Sequence, residues 1–486
     1  MHSPKKIAVI GSGMAGITVA SLLARDGAQV TLYEQNWMPG GCSSSYWRKG
    51  FWFETGATTL VGLDEGMPLH RLLQETGLEL PAQKLETPMQ VLFKDRLITR
   101  HQNLGAWITE AELHFGVAGQ RGFWEECYRI SLQVWGISSQ QLAFPPQNLA
   151  DLLSLAQGFA FGQLAALPAA FSTVEDLLRK HGLLQHREFV EFIDEQLLIT
   201  AQNTHREVNM LFGATALCYT NFGNYYMPGG LLKLVEPFVQ YIEQRAGEIR
   251  LRTAVRAIHL LPNAVTIETA QETATYDTVV SAIPLNNLAD MLAPGREKSI
   301  LRTKLLPSEK LSSALQLGIG FTPHRSYNCL HYQIHLPKGL PGLPSKSIFL
   351  SLHPASDVSR APQGQMAASV STHWHNPAHN LVENRAELEA AILDLLEEKD
   401  MILKANINYL HSSGPASWAK WTGRKWGFVG GYPQYKAIKP WQMMGARLKK
   451  GQFYVCGDAT YPGQGIPGVV LSGLTAHHKM KLDGVI

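Results

Sequence analysis

Residues 5–34 read KKIAVIGSGMAGITVASLLARDGAQVTLYE, and this stretch decides the fold. Its first six residues form a short apolar run rich in β-branched side chains, as expected of a strand buried in a parallel sheet. The run passes directly into Gly11-Ser12-Gly13-Met14-Ala15-Gly16, a G-x-G-x-x-G. Apolar spacing through Ile17, Ala20, Leu23 and Ala24 predicts a helix that stops near Gly27, and residues 29–33 predict a second strand ending on Glu34. Gly11 permits the tight turn, Gly13 lets the backbone approach a pyrophosphate, and Gly16 lets helix and strand pack closely. Ser12 and Ala15 complete the turn. The helix start offers unpaired N–H groups and the positive end of its dipole to phosphate oxygens. Glu34 stands where a carboxylate accepts hydrogen bonds from ribose hydroxyls, and its charge disfavours a 2′-phosphate. A lone glycine pattern is weak evidence. Here strand, turn, helix, second strand and acid occur in order, so a dinucleotide site in an α/β, Rossmann-like unit is expected.

The rest of the composition narrows the class. The chain has 486 residues, 45% of them hydrophobic and 17% charged, which fits a packed globular protein of two interwoven domains rather than disorder. A net charge of +3 and the lack of a long Lys/Arg block argue against a nucleic-acid partner. Five scattered cysteines, Cys42, Cys127, Cys218, Cys329 and Cys456, never form C-x-x-C. They suit a reducing compartment and exclude a disulfide framework or a four-cysteine zinc site. The start of the chain carries no signal-peptide pattern, so a cytoplasmic protein is expected. Residues 152–174 carry no charge. Gln157, Gly158, Gly162, Gln163 and Pro168 interrupt them, so a buried or membrane-surface segment is expected rather than a span.

Gly463-Gln464-Gly465-Ile466-Pro467-Gly468 repeats the glycine pattern, but too little chain follows for a second βαβ unit. A second tightly bound dinucleotide such as NAD is therefore not expected. After Glu34, residues 36–60 read NWMPGGCSSSYWRKGFWFETGATTL. Gly40-Gly41, followed by Gly50-x-x-Phe53-Glu54-x-Gly56, resembles the extended FAD signature of the amine-oxidase and carotenoid-desaturase superfamily. The resemblance implies that this segment, with Gly41 and Cys42, lies along the diphosphate and flavin. Small residues are suited to that task, because they let backbone N–H groups reach anionic oxygens.

Three later stretches extend the likeness. Tyr225-Tyr226-Met227-Pro228-Gly229-Gly230 precedes an amphipathic helix over 231–243. Residues 248–258, EIRLRTAVRAI, predict a strand pair, in which Val255 resembles the family's adenine-contacting position. Residues 277–284, DTVVSAIP, resemble the strand that returns to the nucleotide domain. Finally, residues 453–473 read FYVCGDATYPGQGIPGVVLSG. Gly457-Asp458 resembles the second FAD motif, whose aspartate binds the ribityl chain. A helix starting near Pro467 would aim its positive end at the flavin pyrimidine, with Ile466 among the cofactor-binding residues that the resemblance implies. This chain resembles the FAD-dependent carotenoid desaturase and isomerase family over nearly its whole length. Within it, residues 56–71 are most similar to C-3′,4′ desaturase-type and cis-carotene-isomerase-like members. Tyr461 departs from many phytoene desaturases, which carry His before the P-G.

The expected fold is therefore α/β, a Rossmann-like FAD-binding domain of 1–75, 225–285 and 440–486 interleaved with an α+β substrate domain of 76–224 and 286–439. Capping residues near Ser172 and apolar spacing over 187–198 predict helices. Alternation over 311–321 and 347–352 predicts strands, and 383–398 a surface helix.

Other residues invite stronger readings. His373-x-His375-x-x-x-His379 has metal-like spacing, but Pro377 interrupts it, so no metal site is expected. Cys456 lies beside the flavin motif without the pattern of covalent attachment, so the FAD is expected to be non-covalent. Cys42 reads as a small buried side chain rather than a redox group. Trp418, Trp421, Trp426 and Trp441 would line a tunnel for a long apolar substrate or pack in a core.

No serine–histidine–aspartate set or carboxylate pair points to hydrolysis, and the sequence names no catalytic base. The resemblance implies hydride transfer between flavin and a polyene, a lipophilic substrate that calls for peripheral membrane contact. Desaturation, cis–trans isomerisation and saturation of the retinol-saturase kind all use the same motifs. An amine oxidase is a rival, and so is a flavin-free binding module for prenylated proteins.

Overall fold

The computed structural model describes residues 4–158, 167–343, 345–379 and 385–486. The strand Lys6–Ile10 is buried after its first residue because it has partners on both sides. It pairs in parallel with Gln29–Tyr33 and with Thr278–Ser281. Glu248–Arg250 extends the sheet on one side, and Phe453–Val455 with antiparallel Arg447–Lys449 extends it on the other. One six-stranded sheet thus collects strands from 6–33, 248–281 and 447–455. Its cover is the helix Met14–Arg25, which packs against the helices Leu232–Glu243 and Ile466–Leu482. Ile7, Val9, Ile17, Leu23, Val235 and Val470 meet in that core.

The second sheet runs in the order Ile407–Ser413, Ser312–Phe321, Met366–His375, Ser347–Leu352, His331–His335, Met89–Phe93 and Arg96–Arg100. The period of two along its strands divides two environments. Leu315, Leu317, Ile319, Ile348, Leu350 and Val370 pack against Leu388, Ile392 and Leu396 of the helix Arg385–Glu398. The alternate residues Gln316, Phe349, Ser369, Ser371 and His373 point to the opposite face, which lines a cavity. Helices Gln120–Gln140, Arg187–Thr200 and Met210–Leu217 supply a further apolar core around Trp107, Trp124, Phe189 and Phe192.

Local signals explain several of these boundaries. Thr173 caps the helix Val174–Lys180 through a reciprocal bond pair with Asp176. The strand Ser347–Leu352 matches its expected range, whereas the helix ending at Glu398 begins at Arg385, residue 383 lying outside the described residues. That helix is also more than a surface element, since its apolar stripe closes the second sheet.

Residues 248–258 are not a strand pair. Glu248–Arg250 joins the nucleotide sheet, and Ala257–Leu260 starts a separate three-stranded sheet. Backbone bonds from Arg252 to Asn36 and from Thr253 to Glu34 hold the connection between them.

The charge-free run of 152–174 falls partly outside the described residues, at 159–166. Its described parts lie in the helices Leu149–Gln157 and Leu167–Phe171. Among the described residues no helix is long and apolar enough to cross a membrane.

Candidate active site

The glycine turn divides into positions that the fold needs and one that it does not. A Cβ on Gly16 would sit 1.9 Å from the Gly11 carbonyl oxygen, and one on Gly11 would meet Ile283 at 2.9 Å. These two glycines are required by protein packing alone. Gly13 differs, since a Cβ there meets no protein atom within 4 Å. Space is left beside it at the start of the Met14–Arg25 helix, where the first N–H groups have no intrahelical partner and no side chain caps them. Met14, Ala15 and Gly16 supply those groups. Gly40 runs parallel to Gly13, with its N–H bonded to the Ser12 carbonyl at 2.9 Å, and Gly41 borders the same space.

Glu34 is buried at the end of its strand. One oxygen accepts from the Ser12 N–H at 3.0 Å and hydroxyl at 2.6 Å, and the other accepts from the Asn36 N–H at 2.8 Å. These contacts fix the carboxylate beside the turn and leave a lone pair on Oε1. Val255 is buried against Tyr33 in the adjoining core, two residues beyond the Thr253 N–H that donates to the Glu34 carbonyl.

A cavity of about 440 Å³ joins the remaining predicted residues. Cys42, Asp458 and Ile466 all line it. Ile466 opens the long C-terminal helix Ile466–Leu482, whose cap residue is Gly465. Asp458 follows Gly457, whose N–H donates to the Ser472 hydroxyl at 3.1 Å, so the helix itself holds the second motif. The cavity has an apolar wall of Val134, Trp135, Leu198, Phe212 and Phe222, and a polar one from the second sheet.

Arg424 was not singled out by the sequence. Its Nη2 donates to Asp458 Oδ2 at 2.5 Å, with the two side chains 14% and 13% exposed. Burial works against the guanidinium charge, but the Asp458 carboxylate more than offsets it, so its pKa lies above the ordinary value. Among the described residues none donates a hydrogen bond to Asp458 Oδ1. The available signal is a lone Arg in the Trp- and Gly-containing stretch of 416–441.

Two expectations change. Cys42 is half-buried and lines the cavity rather than filling a core, because Gly41 and Gly56 leave its side chain beside open space. Burial raises its thiol pKa, and the nearby Arg424 does not reverse that, so it is a neutral thiol. Of the four tryptophans only Trp418 lines the cavity, its indole N–H bonded to the Ala314 carbonyl at 2.9 Å. Trp421 and Trp441 are exposed, and Trp426 packs on the nucleotide-side core. Among the described residues no group of three metal-ligating side chains occurs: His373 lines the cavity while His375 lies exposed at the end of the strand.

These features suit FAD. Open space borders Gly13 and Gly41, two buried carboxylates keep free acceptor positions, and a helix N-terminus meets the cavity. The fold and site together define a dinucleotide-binding flavoprotein oxidoreductase. Residues 14–476 match the family described as flavin containing amine oxidoreductase, and the chain belongs to it. FAD is its cofactor.

Among proteins of described function, the chain is 26% identical to a chloroplastic prolycopene isomerase of an Oncidium hybrid cultivar, across 98% of this chain and 83% of that one. It is 22% identical to a 4,4′-diapophytoene desaturase from Methylomonas sp, across 96% and 94%. The crystallised cyclohexylamine oxidase of Brevibacterium oxydans shares the fold at a TM-score of 0.62, with 14% identity and 99% of each chain covered.

Proposed function

We propose that the protein is an FAD-dependent oxidoreductase that desaturates a long apolar polyene of the carotenoid class. The observation that carries the reading is the cavity: Cys42, Asp458 and Ile466 of the flavin motifs share it with Trp135, Phe212 and Phe222. The two relatives that span nearly the whole chain act on polyenes by name. We assign cofactor binding to Gly11, Ser12, Gly13, Ala15, Gly16, Glu34, Gly41, Cys42, Val255, Gly457, Asp458 and Ile466. In this reading 1–75, 225–285 and 440–486 form the cofactor domain, and 76–224 and 286–439 form the substrate domain.

When bound, the flavin supplies an acceptor for a hydride from an allylic carbon. The protein's part is positional. The turn at Gly13 and the free N–H groups behind it hold the diphosphate. Glu34 takes ribose hydroxyls, and Asp458, fixed by Arg424, takes a hydroxyl of the ribityl chain. Val134, Trp135, Phe212 and Phe222 align an apolar substrate and exclude water, which supports hydride transfer through orientation.

Cis–trans isomerisation is the second reading, favoured by the prolycopene isomerase likeness across 98% of the chain. The experiment is the mass and isomer profile of pigments from carotenoid-producing cells with and without this protein. A loss of two hydrogens supports desaturation, and unchanged mass with altered retention supports isomerisation. Untouched polyenes remove the substrate class, after which amines are tested.

The polyene reading also calls for membrane contact, for which the helix Leu149–Gln157 is our candidate. Its polarity is inverted. Asp151 is fully buried against Arg447 and Lys479, while Leu149, Leu152 and Leu153 are exposed, Leu149 by 70%. Exposed Phe171 and Trp441 also meet, their rings tilted with centroids 5.3 Å apart and Lys439 over the Phe171 ring, a combination suited to a lipid interface.

A further inference from the structure

Desaturation removes a hydride from one carbon and a proton from its neighbour, and nothing above accounts for the proton. Among the described residues, the titratable side chains lining the cavity are Cys42, Glu195, Tyr219, His373 and Asp458. Four of them are engaged or in the wrong protonation state. Asp458 is paired with Arg424. Glu195 accepts from the Ser347 hydroxyl at 2.5 Å and the Lys346 N–H at 3.3 Å. Tyr219 donates to the Met89 sulfur at 3.3 Å, and burial pushes its phenol pKa up to about 12. Cys42 is held as a neutral thiol.

His373 stands apart. It lies on the strand Met366–His375, which pairs with Ser312–Phe321 along its length and holds the His373 backbone opposite Ala314. Its cross-strand neighbour is Ala314, which leaves room for the imidazole, and Ser371 and Ser369 follow it along the cavity face. Among the described residues the ring makes no hydrogen bond. Burial pushes its pKa down to about 4, with no charged neighbour contributing, so the ring is neutral and keeps a free lone pair near pH 7.

We propose that His373 is the proton acceptor of the reaction. This inference rests on the desaturase reading above. An allylic C–H bond breaks and its hydrogen leaves with both electrons as hydride, reducing FAD by two electrons. The adjacent C–H bond gives its proton to the His373 lone pair, and its electron pair forms the new double bond. The imidazolium then returns the proton to water. A weak base is sufficient here, because a C–H bond next to a developing allylic cation is strongly acidic.

The test uses purified holoenzyme and a polyene that the wild type desaturates, supplied in liposomes. His373→Ala is expected to slow the first turnover about 100-fold or more. Polyene affinity, read from the absorption shift in both FAD-loaded and FAD-free protein, should stay within about threefold. Added imidazole should restore part of the lost rate by occupying the vacated space, and His373→Gln should be as slow as His373→Ala while keeping the packing. A variant that turns over at nearly the wild-type rate overturns the proposal. So does a rate loss matched by an equal loss of affinity, which marks a packing residue. If the wild type converts the polyene without loss of mass, no proton leaves and this inference falls while the polyene substrate stands. If no polyene binds or reacts, the substrate reading itself has failed, whatever the variants do.

Discussion

Replacing Arg424 with Met tests the electrostatics of the cofactor site. The guanidinium is the cationic partner of Asp458 at 2.5 Å, and both side chains are largely buried. Removing one member of such a pair leaves a buried charge uncompensated and costs about 3–5 kcal/mol of stability. The carboxylate then takes up a proton or turns away, and in either state it is a poorer acceptor for a ribityl hydroxyl. Losing one charge-assisted hydrogen bond, worth about 1.5–3 kcal/mol, weakens FAD binding by roughly ten- to a hundredfold. The assay is titration of FAD into apoprotein, followed by quenching of flavin fluorescence, with urea unfolding in parallel. Arg424→Met, Asp458→Asn and the double variant complete a cycle. The double variant should recover most of the stability lost by Arg424→Met, since neither buried charge then lacks a partner. FAD affinity and stability unchanged in Arg424→Met, or a double variant that loses the sum of the singles, would refute the reasoning.

Gly13→Ala and Gly16→Ala should fail differently. The first meets open space and should leave apoprotein unfolding unchanged while FAD affinity drops by at least about tenfold, whereas the second places a methyl 1.9 Å from the Gly11 oxygen and should prevent folding. Asp357 accepts from the Tyr226 hydroxyl, the Gly229 N–H and both donors of Ser359. Burial opposes its charge, but these donors prevail and hold its pKa at about 2, against 3.8 for an unperturbed aspartate. A lowered folded pKa means that its contribution, about 1 kcal/mol once solvent screening is allowed for, is present above pH 4 and lost as pH falls from about 4 to about 2. Asp357→Asn should therefore be less stable at pH 7 in urea unfolding and converge on the wild type near pH 2. Substituting Leu149, Leu152 and Leu153 with Asp should abolish liposome flotation while FAD content and unfolding midpoint hold. Retained flotation with full polyene turnover would discard the membrane face.

Much of the nucleotide half was legible because its signals are local. The turn from Gly11 to Gly16 shows itself in six consecutive residues, although Ile283 also packs against Gly11, and Glu34 follows the very next strand. Strand and helix periods likewise marked Ser347–Leu352 and Arg187–Thr200. Residues 248–258 misled for the same reason: local alternation gives strand character but not sheet membership, and the backbone bonds to Glu34 and Asn36 split the segment. The glycines and serines around Cys42 in the sequence carry no sign that its side chain borders a void in space. Arg424 was missed because its partner Asp458 is 34 residues away.

By itself the sequence determined the FAD-type nucleotide fold, the family and the residues around the turn. These depend on backbone geometry that glycine spacing and a terminal acid dictate over short range. Only the tertiary structure decided which side chains share the cavity. His373 and Cys42 are 331 positions apart, and a strand's alternation tells which residues share a face but not whether that face meets a helix or a void. The second sheet shows the reason most plainly: Leu315 and Gln316 are neighbours in the chain, yet the pleat sends one into packed core and the other to the cavity wall.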